Sequence, residues 1–437
     1  MNSGSVLRHA GFLRLLVGSA AALLGDQFTI IAIPWLVLTL SNDSLVLGLV
    51  MACIGLPRVI FLLIAGVLVD RYSPRLILIL SSLAGALVLV ALGGLVLTHA
   101  LTLWMLYAFA ALMGLVGTFT IPARMSILPR IVDSTQLQSA NSIMMGVNQI
   151  AVLAGPVLAG ILISTSKGLG IAFLLNGICM LIAALTVPRL LSHILPGIEE
   201  SKRVFSSIME GIRWLWADRT LRVLVCYWTV AAFLAIGPVQ VGLPRLVEQQ
   251  LGMGSAAFGL LISVNGFGQL LGILLSSLRV LKAIPLGIAA CLIDVAAGLA
   301  MVGMGVNHQL AISIALVFTI GTGAGFVQVG LYTWIQNRIP SQLLGRIISI
   351  LTLIMTSTAP TSALLSGVFT HYVTIPMLFI TVGISLASFA LLSISSRAIR
   401  SVQSVPSTTD EAKSLEAGSR EAGPAPIARE ANATADG

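Results

Sequence analysis

Three ionisable side chains stand inside long apolar runs of this chain: Asp26, Arg58 and Asp294. A charge at mid-bilayer costs roughly 2.5–3.5 kcal/mol on insertion scales, so each needs a partner or a task. Asp26 lies 11 residues past the start of its run, and Arg58 lies 11 residues before the end of the next. At a rise of ~1.5 Å per residue both sit near ~16 Å depth on adjacent antiparallel helices. A buried carboxylate–guanidinium pair can form there, either fixing helix packing or coupling a proton to a solute. Ser19, Ala22 and Thr29 share a helical face with Asp26, a narrow polar stripe that must point into a bundle. The stripe around Asp294 is Gly287, Ala290, Cys291, Ala297 and Gly298, small residues of the kind that let helices approach closely. Asp294 therefore reads as a packed structural residue, and Asp26 as the functional one.

The other polar side chains in these runs are amides and hydroxyls: Asn148, Gln149, Gln240, Asn265, Gln269, Gln328 and the cluster Thr356, Ser357, Thr358. They suit a largely apolar cavity with few hydrogen bonds, fitted to an amphipathic or lipophilic solute. Interhelical hydrogen bonding is the plainer use for any one of them. The four cysteines fall in apolar runs without ligand spacing and read as packing residues, and the five histidines fall in connecting or terminal segments. No metal site, cofactor or catalytic constellation is indicated, and an enzyme is not expected. A phosphate-binding Gly-x-x-x-x-Gly-Lys loop is absent from the sequence, so no ATPase drives the chain.

The elements that position these residues follow from composition. Hydrophobic residues form 57% of 437 positions, charged residues only 9%, and the mean hydropathy is +1.02. A water-soluble domain cannot cover that much apolar surface with so few charges. Runs of about 20 apolar residues cross a bilayer as helices. Twelve such spans are expected, near 15–40, 45–69, 76–97, 101–123, 138–164, 169–188, 223–244, 255–278, 284–306, 309–334, 347–370 and 373–395. The first run is too long for a secretory signal and lacks a small-residue cleavage site.

With the N-terminus inside, all but three of the 24 Lys and Arg fall in cytoplasmic segments. Lys167 and Arg245 fall in outside loops, and Arg58 lies in a span. This positive-inside bias places both termini in the cytoplasm and makes the net charge of +8 a matter of topology, not nucleic-acid binding. The chain divides into an N-terminal six-helix half (1–188), a central loop (189–222), a C-terminal six-helix half (223–397) and a tail (398–437) that reads as disordered. In the central loop Val204, Phe205, Ile208, Met209, Ile212 and Leu215 share one face of an amphipathic helix at the cytoplasmic interface. The segments beginning Arg130-Ile-Val-Asp and Arg338-Ile-Pro-Ser lie six spans apart and share Gln-Leu and Ser-Ile pairs, a weak internal repeat.

One short connection carries three charges in six positions: Gly66-Val-Leu-Val-Asp70-Arg71-Tyr-Ser-Pro-Arg75. This pattern resembles the signature loop of the major facilitator superfamily. Gly155-Pro156 followed by Gly160 resembles the fifth-span element of its antiporter members. Gly25-Asp26, Pro-Ala-Arg124 and Leu137-x-x-Ala140-Asn141 resemble its bacterial drug and siderophore exporters related to macrolide efflux proteins. The resemblance spans residues ~11–395, with one departure: residues 101–123 hold no charge, so the arginine that many proton-coupled drug antiporters carry in span 4 is missing unless Arg58 supplies it.

The resemblance implies an all-α fold of two six-helix halves in the inner membrane and a monomeric secondary transporter. It implies export of a drug-like or siderophore-like small molecule, with protons as coupling ion; uptake by the same fold, or a non-transporting sensor, is the alternative. It also implies a cytoplasmic gate of Gly66, Asp70, Arg71, Arg75 and Arg346. There Asp70 would meet the start of span 11, from Gln342 to Arg346, whose free backbone N–H groups attract a carboxylate.

Overall fold

The computed structural model describes residues 6–41, 43–188, 201–278 and 285–402. Among them are twelve helices, or helix pairs, long and apolar enough to cross a membrane. The first six are α1 (Ala10–Leu40), α2 (Ser44–Arg71), α3 (Pro74–Leu97), α4 (Leu103–Ile127), α5 (Leu137–Ile163) and α6 (Gly168–Leu185). A shorter helix, α7 (Ser201–Ala217), follows. The seventh span is α8 (Arg219–Gly237), continued through a π-helical turn at Pro238–Gly242 into α9 (Leu243–Gln249). The remainder are α10 (Ser255–Leu275), α11 (Leu286–Val306), α12 (Leu310–Arg338), α13 (Ser341–Phe369) and α14 (Ile375–Ile394), closed by a single turn, α15 (Arg397–Arg400).

The weak sequence repeat becomes an architectural one. In the first half α1 packs on α5 and α6, α2 on α4, and α3 on α4 and α6. Six spans later α8 packs on α13 and α14, α10 on α12, and α11 on α12 and α14. The halves meet along two seams, α2 with α13 and α5 with α10. These seams also exchange under the repeat, as a twofold pseudo-symmetric assembly requires.

Close backbone approach holds the seams at the face opposite the arginines. Methyl groups placed on Gly48 would fall 2.8 Å from the Ala363 carbonyl, and on Gly160 2.5 Å from the Ser255 carbonyl. The Ser255 hydroxyl donates to the Gly160 carbonyl at 2.9 Å. Small residues here allow the packing that drives helix association in lipid. Toward the basic face the same helix faces separate. Among the described residues, a methyl group on Gly66, Gly146 or Gly345 would meet nothing within 4 Å. The central space therefore opens at the basic face.

Several sequence expectations are corrected. Span 4 does not stop at residue 123: α4 runs through Pro122 to Ile127, and Arg124 sits in its last turn instead of in a loop. Arg245 is not in a loop either; it lies in α9 and is 1% exposed. Residues 398–402 are packed, with Ile399 and Val402 buried and the Gly287 amide donating to the Val402 carbonyl. The remainder of the expected tail lies outside the described residues. Cys226 faces outward; Cys291 is the buried member of the four cysteines. The amphipathic helix α7 does more than lie at an interface. Its Ile212 and Leu215 pack with Trp334, Ile347 and Ile350 at the basic ends of α12 and α13.

Candidate functional site

Asp26 projects from the middle of α1 toward α6, where Gly25 makes room for Asn176. A methyl group on Gly25 would overlap the Asn176 side-chain oxygen. Asn176 is buried, donates to the Thr29 hydroxyl at 2.7 Å and lies within hydrogen-bonding reach of the Asp26 carboxylate. Thr29 thus occupies the polar face of α1 that helical spacing assigned to it. Asn176 is a group the sequence reading missed, although it stands in an apolar run just as Asn148 and Asn265 do.

Two guanidinium groups flank this carboxylate. Arg124 and Arg58 both lie within Coulombic reach of Asp26, and the pull of Arg124 is the larger. Arg58 reaches α4 over Gly117, where a methyl group would meet its guanidinium at 2.9 Å. Its Nε is buried without a hydrogen-bond partner among the described residues. Asp26 forms no ion pair among the described residues, so the three charges face one another without direct contact. Span 4 thus does carry an arginine, Arg124, one residue beyond the expected end of the span.

A small hollow, with room for little more than a water, lies near the basic face between α1, α3, α4 and α6. Arg124, Ser19 and Thr186 give it polar walls, and Leu15, Leu78, Ala183 and Val187 give it apolar ones. The Ser19 hydroxyl is buried there with no hydrogen-bond partner among the described residues. Ser19 lies on the face of α1 that carries Asp26, two turns and so about 10 Å away along the helix.

The Gly155-Pro156-Gly160 element joins this site to the seam. Gly155 faces Gln27, where a methyl group would fall 2.5 Å from the Gln27 stem. Gly160 and the Pro156 carbonyl face Gly259 and Ser255 of α10. The cavity candidates disperse. Gln149 bridges the seam by donating to the Gly266 carbonyl at 3.4 Å, and Asn265 donates to the Val317 carbonyl at 3.4 Å. Asn148 and Gln328 are exposed, while Gln240, in the π-helical turn, and Gln269 are half-buried.

At the basic face Arg346 pairs with Glu210 of α7, and Arg338 pairs with Asp218 at 2.7 Å. Arg75 is half-buried. The side chains of Asp70, Arg71 and Gln342 lie outside the described residues. In the second half, Asp294 accepts a 2.5 Å hydrogen bond from Tyr227, and the stacked rings of Tyr227 and Phe389 close over the pair. The small-residue stripe around it does pack closely: Gly287 approaches the Ile399 carbonyl and Gly298 the Gly383 carbonyl.

Twelve spans in two related six-helix halves, with an intramembrane charge cluster in the first, define a membrane transporter. The chain belongs to the Major Facilitator Superfamily, whose model matches residues 15–363. It is 26% identical over 370 residues to the multidrug efflux pump Tap of Mycolicibacterium fortuitum, covering 82% of this chain and 89% of that protein. It is 24% identical over 334 residues to the staphyloferrin A transporter of Staphylococcus aureus, covering 75% and 82% respectively. In fold it is similar to the nucleoside transporter NupG, with a TM-score of 0.69, 12% identity, and coverage of 90% of this chain and 99% of that one. It is thus a multi-pass membrane transporter and not an enzyme.

Proposed function

We propose that this protein exports a lipophilic or amphipathic small molecule, drug-like or siderophore-like, in exchange for protons. The carrying observation is the cluster in which the Asp26 carboxylate lies within Coulombic reach of both Arg58 and Arg124 inside the membrane-spanning half. The basic face is taken as cytoplasmic, following the positive-inside bias. Protonation of Asp26 would remove its pull on the two guanidinium groups, altering how α4 and α2 hold against α1. Gly155 would pass that change to the seam, because its neighbour Gln27 adjoins Asp26. Similarity to a multidrug efflux pump and a siderophore transporter supports the solute class. Asp70 would latch onto the start of α13 when the cytoplasmic side closes, and Arg346 would then exchange Glu210 for that carboxylate.

The test is proton release from purified protein on addition of a transported solute, found by a resistance screen in a strain lacking its own pumps. Wild-type protein should release protons, and Asp26→Asn should release none while still binding. Unchanged release from the variant would remove Asp26 from the coupling step.

A further inference from the structure

Arg245 is the largest fully buried side chain among the described residues, 1% exposed in a segment where topology alone would leave it in water. Its α9 helix is fixed to the second half: the Gln250 side chain donates to the carbonyls of Met304 and Gly305 at 3.1 and 3.2 Å. From that anchored end the guanidinium reaches across to the first half. Nη2 donates to the Ser41 carbonyl at 3.5 Å, at the C-terminus of α1. Carbonyls at a helix C-terminus lack intrahelical partners and carry the negative end of the helix dipole, so they favour a cation. Asp43, just beyond, lies within Coulombic reach of the same guanidinium.

Glu248 sits 3.9 Å from Nη1, one turn along the same helix. A buried charge is costly when unpaired, and Glu248 belongs to the half that carries Arg245. The pair can therefore leave the Ser41 carbonyl together without stranding an isolated cation. Nearby, His371 of the second half approaches Asp43 at 3.6 Å, so a second contact crosses at the same place.

We infer that Arg245 is the latch of the face opposite the arginine-rich one, clamping α9 onto the end of α1 while the central space is open at the basic face. When the halves rock to open this opposite face, the bond to Ser41 breaks and Glu248 becomes the sole close counter-charge. The role concerns which face is open, and it holds whatever solute or ion is carried.

The experiment measures distance, not transport. Spin labels at Ser166→Cys and Tyr372→Cys, both in exposed connections at this face, report its opening by double electron–electron resonance in a background lacking the four native cysteines. Arg245→Gln should raise the ratio of long to short distances at least about tenfold, equivalent to about 1.4 kcal/mol. Arg245→Lys, which keeps the charge, should stay close to the unsubstituted protein. An unchanged distribution in folded Arg245→Gln, or identical behaviour of the lysine and glutamine variants, would overturn the latch. Should the glutamine variant fail to fold, Asp43→Lys carries the same test, placing a like charge beside the guanidinium, with Asp43→Asn, which keeps a side chain able to cap α2, as its control. Asp43→Lys should open this face, and no change would equally overturn the assignment. Loss of proton release in the preceding experiment leaves these outcomes unaffected.

Discussion

Gly155 of α5 lies directly against Gln27 of α1, so closely that a methyl group on the glycine would come within 2.5 Å of the glutamine stem. Gln27 is buried and follows Asp26 in sequence. The contact therefore places the helix that crosses to the second half against the backbone that carries the membrane carboxylate.

Gly155→Val should disturb that relationship specifically. Overpacking of this kind costs about 1–3 kcal/mol, because side chains and backbone must shift to admit the extra carbons. Solute flux in proteoliposomes should fall at least tenfold. Gly94→Val, at a position where a methyl group would meet nothing within 4 Å, should leave flux and melting temperature near wild type.

Arg124 exerts the larger pull on Asp26, and Arg58 the smaller. Neutralising Arg124 as Arg124→Gln should therefore reduce initial transport rates more than Arg58→Gln does. Parallel flux measurements at matched protein levels check the order, and a larger loss at Arg58 would reverse the assignment.

The Tyr227–Asp294 bond is remote from the first-half cluster and closed over by Phe389. Tyr227→Phe leaves the carboxyl without its partner, and hydrogen bonds between membrane helices contribute about 0.6–1.7 kcal/mol. The folded state should lose about that much stability and melt at a lower temperature, while proton release per solute stays unchanged. Altered stoichiometry would make Asp294 a second coupling group.

Arg338 donates to Asp218 at 2.7 Å and holds its carboxyl below the usual aspartate range, while Asp218 also caps α8 by accepting from Thr220 and Leu221. Because the folded value is depressed, the pair's stabilisation is fully present above the ordinary aspartate value of about 3.9 and is lost as pH falls through the lower folded value. Asp218→Asn keeps a capping side chain and removes the charge. With Arg338 41% exposed, the loss should be about 0.5–1 kcal/mol at neutral pH. The gap between the two melting curves should close in acid.

Asp70→Asn should abolish transport and spare solute binding, since a latch acts on closure and not on the cavity. Flux and equilibrium binding on the same preparation separate the two, and full flux would sink the latch.

The family and the span count were legible in the sequence, because hydropathy, positive-inside bias and the Gly66–Arg75 loop are local properties that the bilayer enforces. Asp26 was legible too, since a lone carboxylate in an apolar run is costly wherever the helix goes. Its surroundings were not. Arg124 falls one residue beyond the hydropathic end of its span, and only helix continuation through Pro122 brings it into the cluster. Asn176 comes from a helix distant in sequence. Arg245 read as a loop cation because hydropathy ends a span where charge begins. Tertiary packing instead buries it: Glu248 stands beside it on its own helix, but the carbonyl end of α1 lies within reach only once the two halves have closed on each other. Sequence determined which residues must avoid lipid; the assembly of the halves decided what each of them faces.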